Sequence, residues 1–194
     1  MPRPSLKSQR TEEILDAFQR CIVRDGIQGA SLERIAEEAG MGRTILRHYV
    51  GNRDDLIVAL AERYVSHVMQ TLDAFETALP KNDRVRAMVR MMFSDVTGFD
   101  HDENLVADAL IIEANRLPEV NDLMTKWFDR FVHMIEAELK REHPNAKPAA
   151  RRASAVGIVS TFLLAGSLRP IFDSPDYRRA AKRAADQLVD ALAD

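Results

Sequence analysis

Four side chains that can bind anions or base edges lie within one six-residue segment: Arg43, Thr44, Arg47 and His48. The two arginines offer forked N–H donors, which suit phosphate oxygens and the O6 and N7 atoms of guanine. The segment that precedes them, residues 40–42 (GMG), separates two apolar helical patterns. This combination is typical of an exposed helix that recognises a polyanion.

The spacing of apolar residues predicts a helix–turn–helix centred on residues 40–42. Ser31 is a favourable N-cap for the first short helix. Ala36 is small enough to lie where the two helices cross, and Gly40 tolerates the positive φ that a tight turn requires. The turn is therefore expected to follow Gly40.

The second short helix is predicted to run from about residue 43 to residue 50. If Leu46 and Val50 face the crossing, the four polar side chains point outward, as in a helix that enters the major groove of DNA. Because surface arginines are commonly just solvated, a purely architectural helix pair is the alternative.

Helical periodicity continues along the chain, and no alternating strand pattern of useful length interrupts it. The first helix is predicted to end at Asp25-Gly26, and Asn52 can cap a long fourth helix. Five predicted loops separate the later helices, at residues 79–83, 100–104, 117–118, 144–148 and 170–175. The predicted fold class is all-α with about nine helices.

Composition restricts the class of protein. The chain has 194 residues, of which 46% are apolar and 29% charged, as in soluble globular proteins. A single cysteine, Cys21, excludes an internal disulfide framework and fits a reducing compartment. The amino terminus lacks an apolar signal segment, and the longest apolar run, residues 155–168, is too short to span a bilayer. We therefore expect a cytoplasmic protein.

Charge is distributed unevenly, although the net charge is only −3. Residues 1–53 carry nine Lys and Arg against seven Asp and Glu, whereas the rest of the chain carries eighteen against twenty-three. Contact with a polyanion is therefore expected only in the N-terminal segment.

Motifs that support catalysis are missing from the sequence. It contains no G-x-S-x-G, Walker A loop or HExxH, and no dinucleotide-binding G-x-G-x-x-G. Cys21 falls on an apolar helix face, where a thiol is inert. The acidic run at residues 100–103 (DHDE) has metal-ligand residue types, but such residues usually cap the following helix. No enzymatic activity, cofactor or metal site is expected.

Residues 14–56 resemble the N-terminal domain of the tetracycline-repressor (TetR) family of bacterial transcriptional regulators. The matching features are Asp25-Gly26, Ser31-Leu32, Ile35-Ala36, Ala39-Gly40-Met41, Tyr49 and Arg53-Asp54-Asp55-Leu56. Residues 57–194 fit the helical body of the family in length and helix count, without a motif to check.

The resemblance implies that the helix from Arg43 enters the major groove of an operator. The residues that it assigns to DNA binding are Ser31, Gly42, Arg43, Thr44, Arg47, His48, Tyr49 and Arg53. Arg53 occupies the place of a phosphate-contacting lysine in the family, and Arg47 that of a phosphate-contacting tyrosine. Gly42 stands where the family usually has a Ser or Thr cap. For Tyr49, packing on the inner face and a phosphate contact remain two open readings.

The resemblance further implies a helix-turn-helix DNA-binding domain over residues 1–53 and a helical effector-binding and dimerisation domain over residues 54–194. Family members pair through their last two large helices, which places Val156, Val159, Phe162 and Leu163 at a homodimer interface, with burial in the core as the alternative. The intervening helices usually enclose a small-molecule pocket. Its candidate residues are Met88, Met92, Trp127 and Phe131, although such stripes more often form the core.

These expectations combine into one functional hypothesis. The chain is expected to be a ligand-responsive transcriptional regulator, with a repressor favoured, that binds a pseudo-palindromic operator as a homodimer and is released by a small-molecule effector. The alternative is a helical adaptor that binds only protein. It would not show the steep salt dependence that phosphate contacts give to duplex binding.

Overall fold

The computed structural model describes residues 6–94, 101–172 and 174–192. Nine α-helices and no strands occur in this part of the chain. The helices are α1 (Leu6–Gly29), α2 (Leu32–Glu38), α3 (Arg43–Val50), α4 (Arg53–Ala78), α5 (Arg84–Met92), α6 (His101–Glu113), α7 (Pro118–Glu142), α8 (Pro148–Ser167) and α9 (Pro175–Asp190). The predicted all-α fold of about nine helices is therefore confirmed.

The chain forms two compact units. The first comprises Met1–His67 and Leu105–Thr125, and the second comprises Val68–Asn104 and Lys126–Asp194. Helices α4, α6 and α7 contribute residues to both units. The sequence-based boundary at residue 53 refers to the end of the DNA-binding domain and not to these packing units, so it stays a prediction.

In the first unit, α1, α2 and α3 pack against one another. Helix α1 buries Phe18 completely, and the side chains of Ile35, Leu46 and Leu56 from the next three helices are also fully buried. Burying a large apolar side chain contributes about 1.5–3 kcal/mol. This shared core therefore fixes the position of the short helix α3.

Ion pairs on the surface also hold α2 against α1. The Glu38 carboxylate accepts hydrogen bonds from Arg20 Nε at 2.7 Å and from Arg24 Nη1 at 2.9 Å. The hydrogen bonds from these two guanidinium groups hold the pKa of Glu38 below its ordinary value. Because the pairs lie at the surface, they contribute less to stability than the buried core.

The ends of the first two helices follow local signals in the sequence. Helical geometry in α1 is interrupted at Gly26, where φ is 70° and ψ is 164°, as the Asp25-Gly26 signal predicts. Ser31 caps α2 as predicted, since its hydroxyl oxygen accepts a hydrogen bond from the Arg34 amide at 3.3 Å.

The start of α4 is a reciprocal capping arrangement. Asn52 Oδ1 accepts hydrogen bonds from the amides of Asp54 and Asp55 at 2.7 and 3.1 Å, and Asp55 accepts one from the Asn52 amide at 2.8 Å. The predicted Asn52 cap is therefore confirmed. Gly51 is required here, because its φ is 76° and a Cβ would collide with the Asp55 carboxylate.

The loop predicted over residues 100–104 is wrong for its described part, because α6 begins at His101. Asp102 and Glu103 lie in the first turn of this helix, where negative charge stabilises the exposed amide groups. Asp100 lies outside the described residues.

In the second unit, α9 packs against both α5 and α8. Gly157 allows α8 and α9 to approach closely, because a Cβ there would lie 2.8 Å from Leu188 Cδ1. Ser154 Oγ donates a hydrogen bond to the Leu188 carbonyl at 2.9 Å and fastens the same pair of helices. None of the described helices combines the length and apolar character needed to cross a bilayer.

Candidate nucleic-acid interface

The turn between α2 and α3 has the geometry that the sequence predicts. Gly40 adopts a φ of 64°, the left-handed conformation in which glycine is favoured. The Met41 amide donates to the Ala36 carbonyl at 2.9 Å, and the Gly40 amide donates to the Glu37 carbonyl at 3.0 Å. This pair of bonds is a Schellman motif, which ends α2 and turns the chain into α3.

Helix α3 buries one face and exposes the other. Leu46 is fully buried and Val50 is 8% exposed. The opposite face carries exposed side chains that together line one surface concavity: Arg43, Thr44, Arg47 and His48. All four thus lie together at the surface, as the burial of Leu46 and Val50 predicts.

The side chain of Arg47 is available to a ligand, since no hydrogen bond or ion pair among the described residues engages it. The ring of His48, which follows it in the chain, contacts the half-buried ring of Tyr49 edge to face, with 5.4 Å between the centroids. The contact of Tyr49 with DNA stays a prediction.

Arg43 is engaged by an ion pair with Glu33 of α2. The two side chains are 55% and 56% exposed, so the pair is solvated and adds little to stability. A phosphate group could therefore replace Glu33 as the partner of Arg43 at small cost.

The N-terminus of α3 lacks a side-chain cap. Gly42 occupies the N-cap position in an extended conformation and makes no capping hydrogen bond through a side chain. The first amide groups of a helix without such a cap can bind a phosphate oxygen. The hydroxyl oxygen of Ser31, by contrast, already accepts a bond at the start of α2.

Arg53 braces the start of α4 against the connection between α1 and α2. Its guanidinium donates hydrogen bonds to the carbonyls of Ala30, at 2.5 Å, and Ile27. Carbonyls in the last turn of a helix lack partners within the helix, so this fork satisfies the Ile27 carbonyl of α1 together with the Ala30 carbonyl just beyond it. The phosphate contact that the resemblance implies for Arg53 stays a prediction, and it would use the remaining N–H groups.

Replacing Arg53 with lysine distinguishes two roles of this residue: hydrogen bonding to the Ala30 and Ile27 carbonyls, and binding to phosphate. Lysine keeps the positive charge but cannot donate to two carbonyls from a rigid planar fork. We expect Arg53→Lys to lower stability by about 1–2 kcal/mol, or about 3–6 °C in the unfolding temperature. Operator affinity of the folded protein should stay within about threefold of wild type, because the charge that binds phosphate is retained.

Thermal unfolding and fluorescence anisotropy on the same Arg53→Lys protein measure the two effects separately. Arg47→Lys is the matched control, and its unfolding temperature should equal that of wild type because Arg47 is exposed. An unchanged unfolding temperature for Arg53→Lys would contradict the bracing role.

A polar network joins the end of α6 to the helices of the first unit. The Glu113 carboxylate is 2% exposed and accepts hydrogen bonds from Gln28 Nε2 at 3.2 Å and Arg116 Nε at 2.7 Å. Arg116 Nη2 also donates to Asp54 Oδ1 at 2.7 Å. This hydrogen bond holds the pKa of Asp54 below its ordinary value and raises the pKa of Arg116.

The residues predicted to line a ligand pocket lie in the core of the second unit. Met88, Met92, Trp127 and Phe131 are all between 0% and 4% exposed. Phe131 contacts Phe162 edge to face with 5.8 Å between the ring centroids. This placement agrees with the alternative of simple core packing, and a ligand contact stays a prediction.

The residues predicted at a dimer interface differ in exposure. Val156, Phe162 and Leu163 are half-buried, whereas Val159 is fully buried within the protomer. The exposed apolar residues in this part of the chain are Leu164, at 54%, followed by Ile171 and Phe172. The sequence does not distinguish Leu164 from its neighbours, because the apolar run of α8 has no clear polar face, and Ile171 and Phe172 lie beyond the end of that helix.

Ile45 is a further exposed residue on α3 that sequence analysis missed. It is 54% exposed and lies next to Thr44 in the chain, although it is not among the side chains that line the concavity. One signal could have identified it: Leu46 and Val50 form an inward stripe four residues apart, and Ile45 does not belong to that stripe.

The described part of the chain contains neither a reactive thiol nor a metal-binding cluster of side chains. Cys21 is fully buried, and desolvation raises the pKa of its thiol, which keeps it protonated. No group of three or more His, Cys, Asp and Glu side chains in residues 6–94, 101–172 and 174–192 could hold a metal ion.

A helix–turn–helix with an exposed cationic recognition helix, in an otherwise all-helical protein, defines a DNA-binding transcriptional regulator. Residues 14–60 match the sequence model of the bacterial regulatory proteins of the tetR family. This match, together with the relatives described below, supports a TetR-family transcriptional regulator, and the family is one of regulators and not of enzymes.

Individual relatives extend the similarity along the whole chain. The HTH-type transcriptional regulator BetI of Burkholderia ambifaria (strain MC40-6) is 27% identical over 207 residues, which cover 99% of this chain and 98% of BetI. A proposed regulator of Saccharomonospora viridis, solved in complex with choline, has a TM-score of 0.77 at 16% identity and covers 94% of this chain and 96% of its own. The multidrug binding protein EbrR, solved with imidazole, has a TM-score of 0.64 at 20% identity and covers 96% of each chain. These two structures share the fold.

Proposed function

We propose that this protein is a cytoplasmic repressor that binds a pseudo-palindromic operator as a homodimer and leaves it when a small molecule binds. Residues 1–53 would bind DNA, and residues 54–194 would bind the effector and form the dimer. The observation that carries the proposal is the outer face of α3, where exposed polar and cationic side chains lie opposite the buried Leu46 and Val50. A helix of this kind fits the major groove.

The dimer is supported by apolar surface on α8. Leu164 is 54% exposed, and Val156, Phe162 and Leu163 each keep part of their surface accessible. Contiguous exposed apolar surface marks interaction sites in soluble proteins. Two-fold pairing through α8 would offer two copies of α3 to one duplex, with half-sites separated by about 10–10.5 base pairs or a multiple of that spacing.

The effector site is proposed among the methionine and aromatic side chains of the second unit. Met88 and Met92 have flexible thioether side chains that adapt to ligands, and Trp127 and Phe131 supply apolar faces. The S. viridis neighbour was solved with choline and EbrR with imidazole. Choline and imidazole are therefore the first two probes to test.

Release from DNA would follow a shift between two conformations of the body, only one of which allows both copies of α3 to meet successive half-sites. Arg116 is suited to transmit this shift, because it bonds Glu113 at the end of α6 and Asp54 in the first turn of α4.

We expect Arg116→Ala to weaken the effector response while leaving DNA binding in place. Effector-free protein should keep its operator affinity within about threefold, whereas the effector-induced loss of affinity should shrink by about fivefold or more, the lower end of typical coupling. Anisotropy titrations with and without the effector found by screening measure both quantities. Arg179→Ala, which removes a local ion pair with Asp176, is the control. A full effector response in Arg116→Ala would contradict the role.

The function is tested by selecting bound duplexes from a random pool with the full-length protein. We expect an enriched inverted repeat and an affinity that falls with salt at a log–log slope of about −4 or steeper, because each phosphate contact contributes about −0.9. Failure to enrich any sequence, with a slope near zero, would favour the alternative of an adaptor that binds only protein. Screening choline, imidazole and a wider set for release then tests the effector.

A further inference from the structure

Ile45 presents a large apolar side chain to solvent at the third position of α3. Its side chain is 54% exposed, while the adjacent Leu46 is fully buried in the core. The core therefore does not require an isoleucine at position 45. Its position lies in the N-terminal half of the helix, which in helix–turn–helix proteins contacts base edges.

Its neighbours on the helix are polar. Thr44 precedes it, and His48 lies three residues later, one turn along the same surface. Both are exposed and, with the two arginines, line the concavity on the outer face of α3. Ile45 lies beside this concavity and not in its lining, so a duplex that binds Thr44 and His48 would meet Ile45 at the edge of the contact.

We propose that Ile45 reads a thymine in each half of the operator by packing against its C5 methyl group. The inference rests on the proposed DNA-binding function and assigns a sequence preference to that surface. In the major groove the four bases present hydrogen-bonding atoms, and thymine alone adds an apolar methyl group. An isoleucine has no donor or acceptor, so it gains from that methyl group and loses when it dehydrates a polar base edge.

The test begins with an operator selected from random duplexes by the wild-type protein. Each thymine of the operator is then replaced by deoxyuridine, which removes only the methyl group. We expect one thymine per half-site whose replacement weakens binding by about fourfold, the value of one buried carbon group, and by about fifteenfold when both half-sites are changed.

The Ile45→Ala variant assigns the effect to this residue. It should bind the thymine and deoxyuridine operators equally, because the side chain that contacts the methyl group is gone. Ile112→Ala is the matched control, since Ile112 is 61% exposed on α6 of the same unit, and it should keep the full deoxyuridine effect. Circular dichroism should show the same helix content for both variants.

The outcomes separate this inference from the proposed function. If no duplex is enriched, the DNA-binding function itself fails. If an operator is found but no deoxyuridine replacement changes its affinity, or if Ile45→Ala remains as sensitive as wild type, DNA binding stands and the thymine contact is overturned.

Discussion

Arg47→Ala should weaken binding to the selected operator by about 30-fold or more, the largest effect that we expect from one substitution on DNA affinity. A specific contact of an arginine in the major groove contributes about 1–3 kcal/mol, and the proposed homodimer would carry the residue twice. Among the described residues, Arg47 has no partner that would compete with DNA for its guanidinium. The effect should therefore appear in binding and not in stability.

Anisotropy titrations at several salt concentrations show which group Arg47 contacts. A phosphate contact predicts uniform weakening on all sequences and a salt slope that is shallower by about one per contact, whereas a guanine contact predicts loss of discrimination at one base pair. Lys81→Ala, which removes the same charge from an exposed loop, is the control and should bind like wild type.

Arg43→Ala should weaken DNA binding less than Arg47→Ala does. Arg43 must give up its ion pair with Glu33 when it contacts DNA, so its net contribution to the binding free energy is smaller. Wild-type affinity in the Arg47→Ala variant would contradict the docking of α3 in the major groove.

The turn and the outer face of α3 could be predicted because the signals are local. The turn at Gly40 is predictable because a tight turn needs a residue that adopts a positive φ. The capping role of Ser31 is predictable because this residue precedes a short apolar pattern. The outward direction of Arg47 follows from the inward stripe of Leu46 and Val50. These inferences involve residues within about two helical turns of one another, where sequence spacing and spatial position still correspond.

What could not be predicted depends on packing between distant residues. The resemblance implies a phosphate contact for Arg53, which stays a prediction. The hydrogen bonds from its guanidinium to carbonyls 23 and 26 residues earlier in the chain are a relation that periodicity cannot reveal. Val159 and Leu164 lie in one apolar run, yet one is fully buried and the other is 54% exposed. Where apolar residues surround a helix, only its neighbours decide which of them is covered.

The second unit contains a buried ion pair with a large role in stability. Glu138 of α7 is fully buried, and its carboxylate accepts hydrogen bonds from Arg84 Nε and Nη2 at 2.8 and 2.9 Å. Arg84 also donates to the carbonyls of Glu76, Leu79 and Pro80, so it fastens the loop between α4 and α5. The hydrogen bonds from Arg84 hold the pKa of Glu138 below its ordinary value, against the effect of burial.

Glu138→Gln should lower the free energy of unfolding at pH 7 by about 3 kcal/mol or more, or about 6–12 °C in the unfolding temperature, because the buried charge that pairs with Arg84 is lost. A lowered pKa in the folded state means that the carboxylate contributes its full stabilisation above its unfolded pKa, near 4.5. The contribution is lost as the pH falls through the lower pKa of the folded state. The difference in stability between wild type and Glu138→Gln should therefore shrink steadily below about pH 4.5.

Urea unfolding at pH 7, 5, 4 and 3 measures this difference directly. Glu136→Gln is the control on the same helix, because Glu136 is 28% exposed and pairs at the surface with Arg152, and it should change stability by less than about 1 kcal/mol. A stability difference for Glu138→Gln that stays constant from pH 7 to pH 3 would show that packing, and not the paired charge, accounts for the loss. The shrinking difference is the specific signature, since a cavity or a strained side chain does not titrate.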